Sequence, residues 1–515
     1  MKRGALQRPL NRLQESLQAS LPAPIGGWNS RDPLAQLAPT DCVQLTNWIV
    51  RPQVVQTRLG STDHLTGLPA NAVETLLDYN FAPTPKLFAA VGTAFYDATA
   101  AGAAGATVVS GLTNARWQHV NYSNSAGNYL VTVNGADDMR TWNGTVWATT
   151  ASFSGTAVNT NTLIGVAVYR ERLFFVENNL LSFYYLAAGA ISGAGARFQL
   201  GQICNRGGYT MAVANWTIDA GDGADDHLVA ITSEGEAVVY KGTDPSSSTT
   251  WTLVGVYYVG RPLGRRCLFK FGGDLLLLTD RGLVPLSKAL QSASVDKTVA
   301  LTDKISQTFN EKGSSLFSTF GWQAQLHTRE SFLLVNVPDT PKTQYIMDLN
   351  TGSWSAFTGW SASCWAYFQG DLYYGTTSTV VKAYTGTSDN GSAILCQMLT
   401  GYDYFGERGL QKKVTLLRPN FAATGAFSYA LGLLGDFERN IPSVTLTTTP
   451  STTSVWDTGL WDVAVWSSDY ILTQDWQTAI NTPSFNFGLT LQLSTAAVTV
   501  QLLSVDYVYL RGSIK

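Results

Sequence analysis

The sequence predicts an all-β protein: a β-propeller of about six blades, an additional β-sheet or sandwich domain, and a short N-terminal helix. Three observations predict it. Trp147, Trp251 and Trp354 recur at intervals of 104 and 103 residues, with Phe198 close to halfway between the first two. Each tryptophan ends a turn-rich stretch, NGTVW, SSSTTW or NTGSW, and a unit of about 50 residues has the length of a kelch-type blade. Composition agrees. Charged residues make up 14% of the chain, while Gly (47), Tyr (22), Phe (22) and Trp (15) are plentiful, and aromatic residues suit pleated sheets. Finally, short hydrophobic runs bounded by Gly, Asn and Asp alternate with tight polar turns, as antiparallel strands require.

The elements follow in order. Residues 1–64 read as a helix and an extended arm. Leu6, Leu10, Leu13, Leu17 and Leu21 form one helical stripe, which Pro22 and Pro24 end. Such a helix docks either on its own domain or on a neighbouring subunit. Residues 24–60 mix Gly, Pro and Asn with short apolar pieces, which predicts an arm with one helical turn starting near Thr40-Asp41. Residues 65–400 hold the propeller. In it YRERLFF, KFGGDLLLL and YFQGDLYY share one plan, apolar–turn–apolar, that fits the inner hairpin of a blade. Aromatic markers fall near 96, 147, 198, 251 and 354, and the one expected near 301 is missing. The polar, partly helical pattern over 290–325 predicts an insertion there, on a rim. Residues 401–515 alternate with period two, as in a separate C-terminal β domain. Within it, loop 440–483 carries Trp456, Trp461, Trp466 and Trp476. A loop so rich in tryptophan packs on its own sheet or forms an intersubunit contact.

Little in the chain points to chemistry. A net charge of −3 supplies no global basic field to capture nucleic acid. The low charge fits either an uncharged Ser/Thr surface or one covered by partner subunits. Five scattered cysteines, with no CxxC pair, predict free thiols in a protein assembled in a reducing cytoplasm. Four scattered histidines leave little material for a zinc site. There is no GxxxxGK[ST] loop and no GxSxG elbow. The sialidase repeat S-x-D-x-G-x-T-W is approached by GTDPSSSTTW and SVWDTGLW, both with the wrong spacing. Asp219, Asp222, Asp225 and Asp226 in DAGDGADDH offer oxygen ligands to a hard cation but miss EF-hand spacing. The similar NGADDM at 134–139 favours a repeated solvated turn. Arg261, Arg265 and Arg266 in VGRPLGRRC, and Lys412-Lys413, suit phosphate or carboxylate. Without a positive field they read as structural ion pairs. The expected catalytic, cofactor-binding and metal-binding residues are therefore none, with no cofactor and no enzyme activity. Neither a signal peptide nor a membrane-spanning segment is expected.

One stretch carries a resemblance. In APIGGWNSRDPLAQLAPTDCVQLTNWIVRP, a GGWN-x-RD-x-L element precedes D-x-V-x-L-x-NW-x-x-x-P. The positions are Gly26, Gly27, Trp28, Asn29, Arg31, Asp32, Leu34, Asp41, Val43, Leu45, Asn47, Trp48 and Pro52. Similarity continues through YLVTVNGADDMRTWNGTVW, YRERLFFVENNLLSFYYL and DAGDGADDHLVAITSEGEAVVYKGTDPSSSTTWTLVGVYYVGRPLGRRC, roughly residues 24–290. The chain thus resembles the tail nozzle (tail tubular protein B) group of virion proteins of short-tailed bacteriophages. Cys42 departs from it, where such proteins tend to carry Ala. The resemblance implies a homohexameric tube at the distal end of the virion tail, assembled in the host cytoplasm, below an adaptor ring and next to tail fibre or needle proteins. DNA would leave through its lumen without sequence-specific binding. Because both lie outside the repeat, the 290–325 insertion or the 440–483 loop is expected to supply the gate or the partner contact. Two alternatives stand beside it: a receptor-binding or glycan-degrading tail protein, and another tail hub or head-completion component.

Overall fold

A computed structural model describes residues 16–155, 158–219, 224–289, 300–439, 444–447 and 470–512. The chain divides into two compact units, Met1–Thr57 with Leu395–Lys515, and Arg58–Ile394.

The second unit is a β-propeller. Its first blade comprises Val73–Tyr79, Lys86–Val91, Ala94–Asp97 and Thr107–Val109. The second comprises Gln118–Asn124, Gly127–Val133, Met139–Trp142 and Trp147–Thr150. Leu163–Tyr169, Arg172–Glu177, Ser182–Leu186 and Ala194–Gln199 make the third, and Thr210–Asp219, Ala224–Thr232, Glu236–Gly242 and Trp251–Tyr258 the fourth. A fifth, three-stranded sheet follows: Leu268–Phe271, Asp274–Thr279 and Gly282–Pro285. Gln323–His327, Phe332–Val337, Thr343–Asp348 and Trp354–Phe357 form the sixth. In the seventh, Cys364–Phe368, Asp371–Gly375 and Val380–Ala383 are joined by Ser61–Thr66, which pairs antiparallel with Val380–Ala383. Among the described residues six sheets therefore have four or more strands, in line with the blades expected, and the fifth has three. The first strand of each sheet lies beside that of the next, and Cys364–Phe368 returns to Val73–Tyr79, so the ring closes.

The markers now have a place. Trp147, Phe198, Trp251 and Trp354 all lie on fourth strands. Their rings fill the space beside neighbouring strands: Trp251 stacks on Tyr240 at 5.1 Å, and Trp147 meets Phe88 at 5.1 Å. The missing marker coincides with the sheet that lacks a fourth strand. In its place Leu301 donates its N–H to the Leu283 carbonyl, and the Thr302 hydroxyl accepts from the Leu283 N–H. The insertion is partly helical, as expected. Leu286–Ala289 and Ser306–Ser315 are helices, and Phe309 on the second is fully buried against Trp322. Residues 290–299 of the insertion lie outside the described residues.

The shared hairpin plan also holds. Arg170 and Glu171 form the two-residue turn of the third blade's inner hairpin, with φ of 46° and 59°. Gln369 and Gly370 do the same in the seventh, with φ of 51° and 87°. Positive φ at both turn positions matches the right-handed twist of the flanking strands.

The first unit contains two sheets. In one, Val500–Arg511 pairs with Lys412–Ala423 along one edge and with Ser16–Pro22 and Val54–Thr57 along the other. Gln477–Thr478 and Ile471–Thr473 continue from Lys412–Ala423. In the other, Asp41–Thr46, Ile394–Thr400, Phe487–Thr495 and Ser428–Gly435 lie in that order. Aromatic rings join the two sheets: Phe421 meets Tyr429 at 5.1 Å, and Phe405 lies 5.1 Å from Tyr507 and 6.1 Å from Phe487.

Three expectations are corrected here. Ser16–Pro22, the end of the expected helix, is a strand, because it completes an open edge of Val500–Arg511; residues 1–15 lie outside the described residues. The helical turn lies at Leu34–Gln36, and Asp41–Thr46 is a strand. Of the segment expected as a separate arm over 1–64, the described residues up to Thr57 contribute strands to the same unit as the C-terminal segment, and those from Arg58 on belong to the propeller. Of loop 440–483, residues 440–443 and 448–469, with Trp456, Trp461 and Trp466, lie outside the described residues. Trp476 is 41% exposed, under the Arg418 guanidinium at 4.7 Å.

Candidate functional site: the axial cavity of the propeller

In a propeller the first strands of the blades face a common axis, so alternate side chains must fill or line it. Here they leave a cavity of about 540 Å³, walled by first-strand residues such as Val120, Val168, Ala214 and Gln325. A second space of about 460 Å³ opens beside it, lined by Arg116, Tyr209, Phe317 and Phe320 among others. Arg265 lines both.

Arg266 spans the axis. It precedes the fifth sheet, yet its Nη2 donates to the Glu74 carbonyl (3.0 Å), the Thr75 hydroxyl (2.7 Å) and the Trp117 carbonyl (3.3 Å) on the opposite side of the ring. Its Nη1 donates to Gln323 Oε1 (3.2 Å) in the sixth blade. Gln323 in turn donates from Nε2 to the Trp365 carbonyl (2.8 Å) and accepts from the Trp365 N–H (3.1 Å) in the seventh. One guanidinium thus ties four blades together, and its partners are neutral oxygens. Burial pulls the Arg266 pKa below its ordinary value, with the nearby Cys364 and Glu74 opposing.

The neighbouring cations are less fully satisfied. Arg265 donates to the Asn134 carbonyl (3.2 Å), and burial lowers its pKa too. Arg116 pairs with Glu74 at 2.9 Å. The Phe320 ring lies under both Arg116 (4.7 Å) and Arg266 (5.1 Å), and Arg261 lies over Phe317 (4.8 Å) and 3.6 Å from Glu234. Segment 317–320, at the end of the insertion, therefore forms part of the mouth of the cavity.

The sequence pairing of Arg261, Arg265 and Arg266 is only partly an ion-pair cluster: Arg261 has its carboxylate, whereas Arg265 and Arg266 have none within ion-pair distance among the described residues. Lys412 is fully buried in the other unit and donates to the carbonyls of Glu407 (2.6 Å), Leu410 (3.0 Å) and Phe485 (2.8 Å), while Lys413 is exposed. The aspartates of DAGDGADDH sit on and between Thr210–Asp219 and Ala224–Thr232; Asp226 accepts from the Thr217 hydroxyl and lies 3.7 Å from Arg170, and residues 220–223 lie outside the described residues. Asn134 in NGADDM accepts from the Ala136 and Asp137 N–H groups, as a turn residue does. Glu74, Arg116, Lys270, Phe320 and Gln323 were not foreseen. They lie on four separate stretches of chain, and only ring closure brings those stretches together.

Several motif residues of the N-terminal stretch form a local hydrogen-bonded clasp around the buried Asn29 and Asp41. Asn29 donates to Asp32 and Asp41, both at 2.8 Å, and its Oδ1 accepts from the Arg31 and Asp32 N–H groups. A Cβ on Gly26 would lie 2.0 Å from an Asp41 carboxylate oxygen, so glycine is required there. Asn47, with φ of 60°, donates to the Leu395 carbonyl at 2.8 Å, and Trp48 beside it is fully buried.

No protein-family model matches the chain, and no curated protein sequence does. Among solved structures, BBS1N, crystallised in complex with ARL6DN, matches with a TM-score of 0.40 and 9% identity over 65% of this chain and 99% of that one. The Cps50 (Swd1) β-propeller domain of Myceliophteria thermophila gives 0.37 and 11% over 62% of this chain and 100% of that one. The WD40 β-propeller domain of Doa1 gives 0.38 and 8%, over 64% of this chain and 96% of that one. At these TM-scores the likeness carries nothing about function. By the topology of its own sheets, residues 58–394 form a β-propeller.

Proposed function

We propose that the chain is a structural, non-enzymatic virion protein: a subunit of a hexameric tail nozzle that conducts the genome during ejection. The observation that carries it is the sequence pattern from Gly26 to Pro52, of which Asn29, Asp32 and Asp41 meet in the clasp. Two further features support it. The cavity on the propeller axis is only about 540 Å³, and Arg266 crosses it. A duplex therefore does not pass through a single propeller, and the conduit would lie between copies of the chain. The first unit also exposes apolar side chains, Leu416 (36%) and Leu472 (61%) on strands and Trp476 (41%) and Ile480 (75%) in the loops beside them. Exposed apolar side chains suit a protein contact where they cluster, and obligate ring interfaces bury more than about 2,000 Å².

Negative-stain imaging of the purified chain tests the proposal. Sixfold rings are expected, and the double variant Leu472→Glu, Ile480→Glu should lose them while keeping its fold. Threefold particles that cleave a saccharide would instead support the receptor-binding alternative.

A further inference from the structure

We propose that the axial cavity binds a small, multiply charged phosphate-bearing anion. The electrostatics of the cavity point there. The chain as a whole is acidic, with 37 Asp and Glu against 34 Lys and Arg. Yet no aspartate or glutamate lines either axial space among the described residues, while Arg116, Arg265, Arg266 and Lys270 all do. Only Arg116 has a carboxylate in contact, Glu74. Arg265 spends one contact on a carbonyl, although a guanidinium offers five N–H donors. Arg265 and Arg266 are partly buried without counter-ions, which is costly, whereas Lys270 is exposed at the cavity wall; a bound anion relieves the cost at the arginines.

Neutral groups add to this. Gln118 also lines the wall. Asn114 and Thr319 line the mouth. The volumes, about 540 and 460 Å³, fall in the range of small-ligand sites and exclude a nucleic-acid strand in extended form. More than one unmatched cation favours a multivalent ion over a single carboxylate, and the planar guanidinium fork matches phosphate oxygens. The inference does not depend on the proposed virion role, since it concerns one propeller by itself.

Isothermal titration of the full chain with inorganic pyrophosphate, at fixed ionic strength, tests it. Saturable one-site binding is expected. Arg265→Gln should weaken it at least tenfold, a size ordinary for one charged hydrogen bond, and Lys270→Gln should weaken it too. Lys413→Gln, in the other unit, should leave it unchanged. Arg266 is left intact because it ties four blades, and near-ultraviolet circular dichroism confirms that each variant is folded. Absence of saturable binding, or equal affinity in a folded Arg265→Gln, Lys270→Gln double variant, overturns the proposal. Tighter binding of citrate than of pyrophosphate overturns the assignment to phosphate.

Discussion

Lys412 has no exposed surface, and its ammonium is held by three main-chain carbonyls with no carboxylate in hydrogen-bond contact. Burial lowers its pKa from 10.5. The cost of keeping it charged is therefore present at neutral pH and is relieved as pH rises towards 10.5. The three carbonyls need the donor nonetheless. Lys412→Met keeps the volume and should cost roughly 2–4 kcal/mol in denaturant unfolding, because it orphans buried acceptors. Asp506 has the opposite sign. Burial raises its pKa, but hydrogen bonds from Ser20, Arg418 and Asn420 outweigh this and hold it below 3.8. Its contribution is complete above pH 3.8 and is lost as pH falls through the lower, folded value. The stability gap between the wild type and Asp506→Asn, measured from pH 7 downwards, should narrow only below pH 3.8. A gap that narrows near pH 6 would contradict this origin. The thiols are equally local. Burial pushes Cys267 up to about 12 and Cys364 to about 11, so neither should react with a thiol reagent at pH 8 until the propeller unfolds.

At the scale of elements, the hairpin of the third blade uses two residues with positive φ that are not glycine, Arg170 and Glu171. The left-handed conformation costs about 1–2 kcal/mol in an L-residue. Glu171→Gly should therefore raise stability by about 1 kcal/mol in thermal or denaturant unfolding; a loss would mean that the glutamate side chain supports the turn. How much was legible in the sequence follows from such elements. Four of the five spaced aromatic markers were readable because one position recurs, the fourth strand of a blade, where a large ring closes the space beside its neighbours; the marker near 96 falls instead on the third strand, Ala94–Asp97. The gap near 301 was readable for the same reason, since the fifth sheet lacks that strand. The N-terminal leucines misled because a spacing of four suits a strand as well as a helix: Leu17 and Leu21 both fall on the half-buried face of Ser16–Pro22. What decides between the two is an open edge at Val500–Arg511, nearly the whole chain away. The axial cations were half legible. VGRPLGRRC marked Arg265 and Arg266, but Glu74, Arg116 and Gln323 become neighbours only through ring closure, which no local pattern records.

For the whole molecule, the ring has two built-in fastenings. Ser61–Thr66 completes the last blade. Arg58, at 2% exposure, donates to both oxygens of Asp389 at 3.0 and 2.6 Å and lies over Trp360 at 4.5 Å. Such a body suits a static wall: the conformational entropy of a long chain is offset by closure within the chain. Low charge and exposed apolar side chains on the first unit fit a surface that neighbours cover. The central claim is therefore one of assembly, and mass photometry of the purified full-length chain tests it most directly. A six-subunit particle, six times 55.6 kDa or about 334 kDa, is predicted. A population that stays at the monomer mass, or that collects at three subunits, would contradict it.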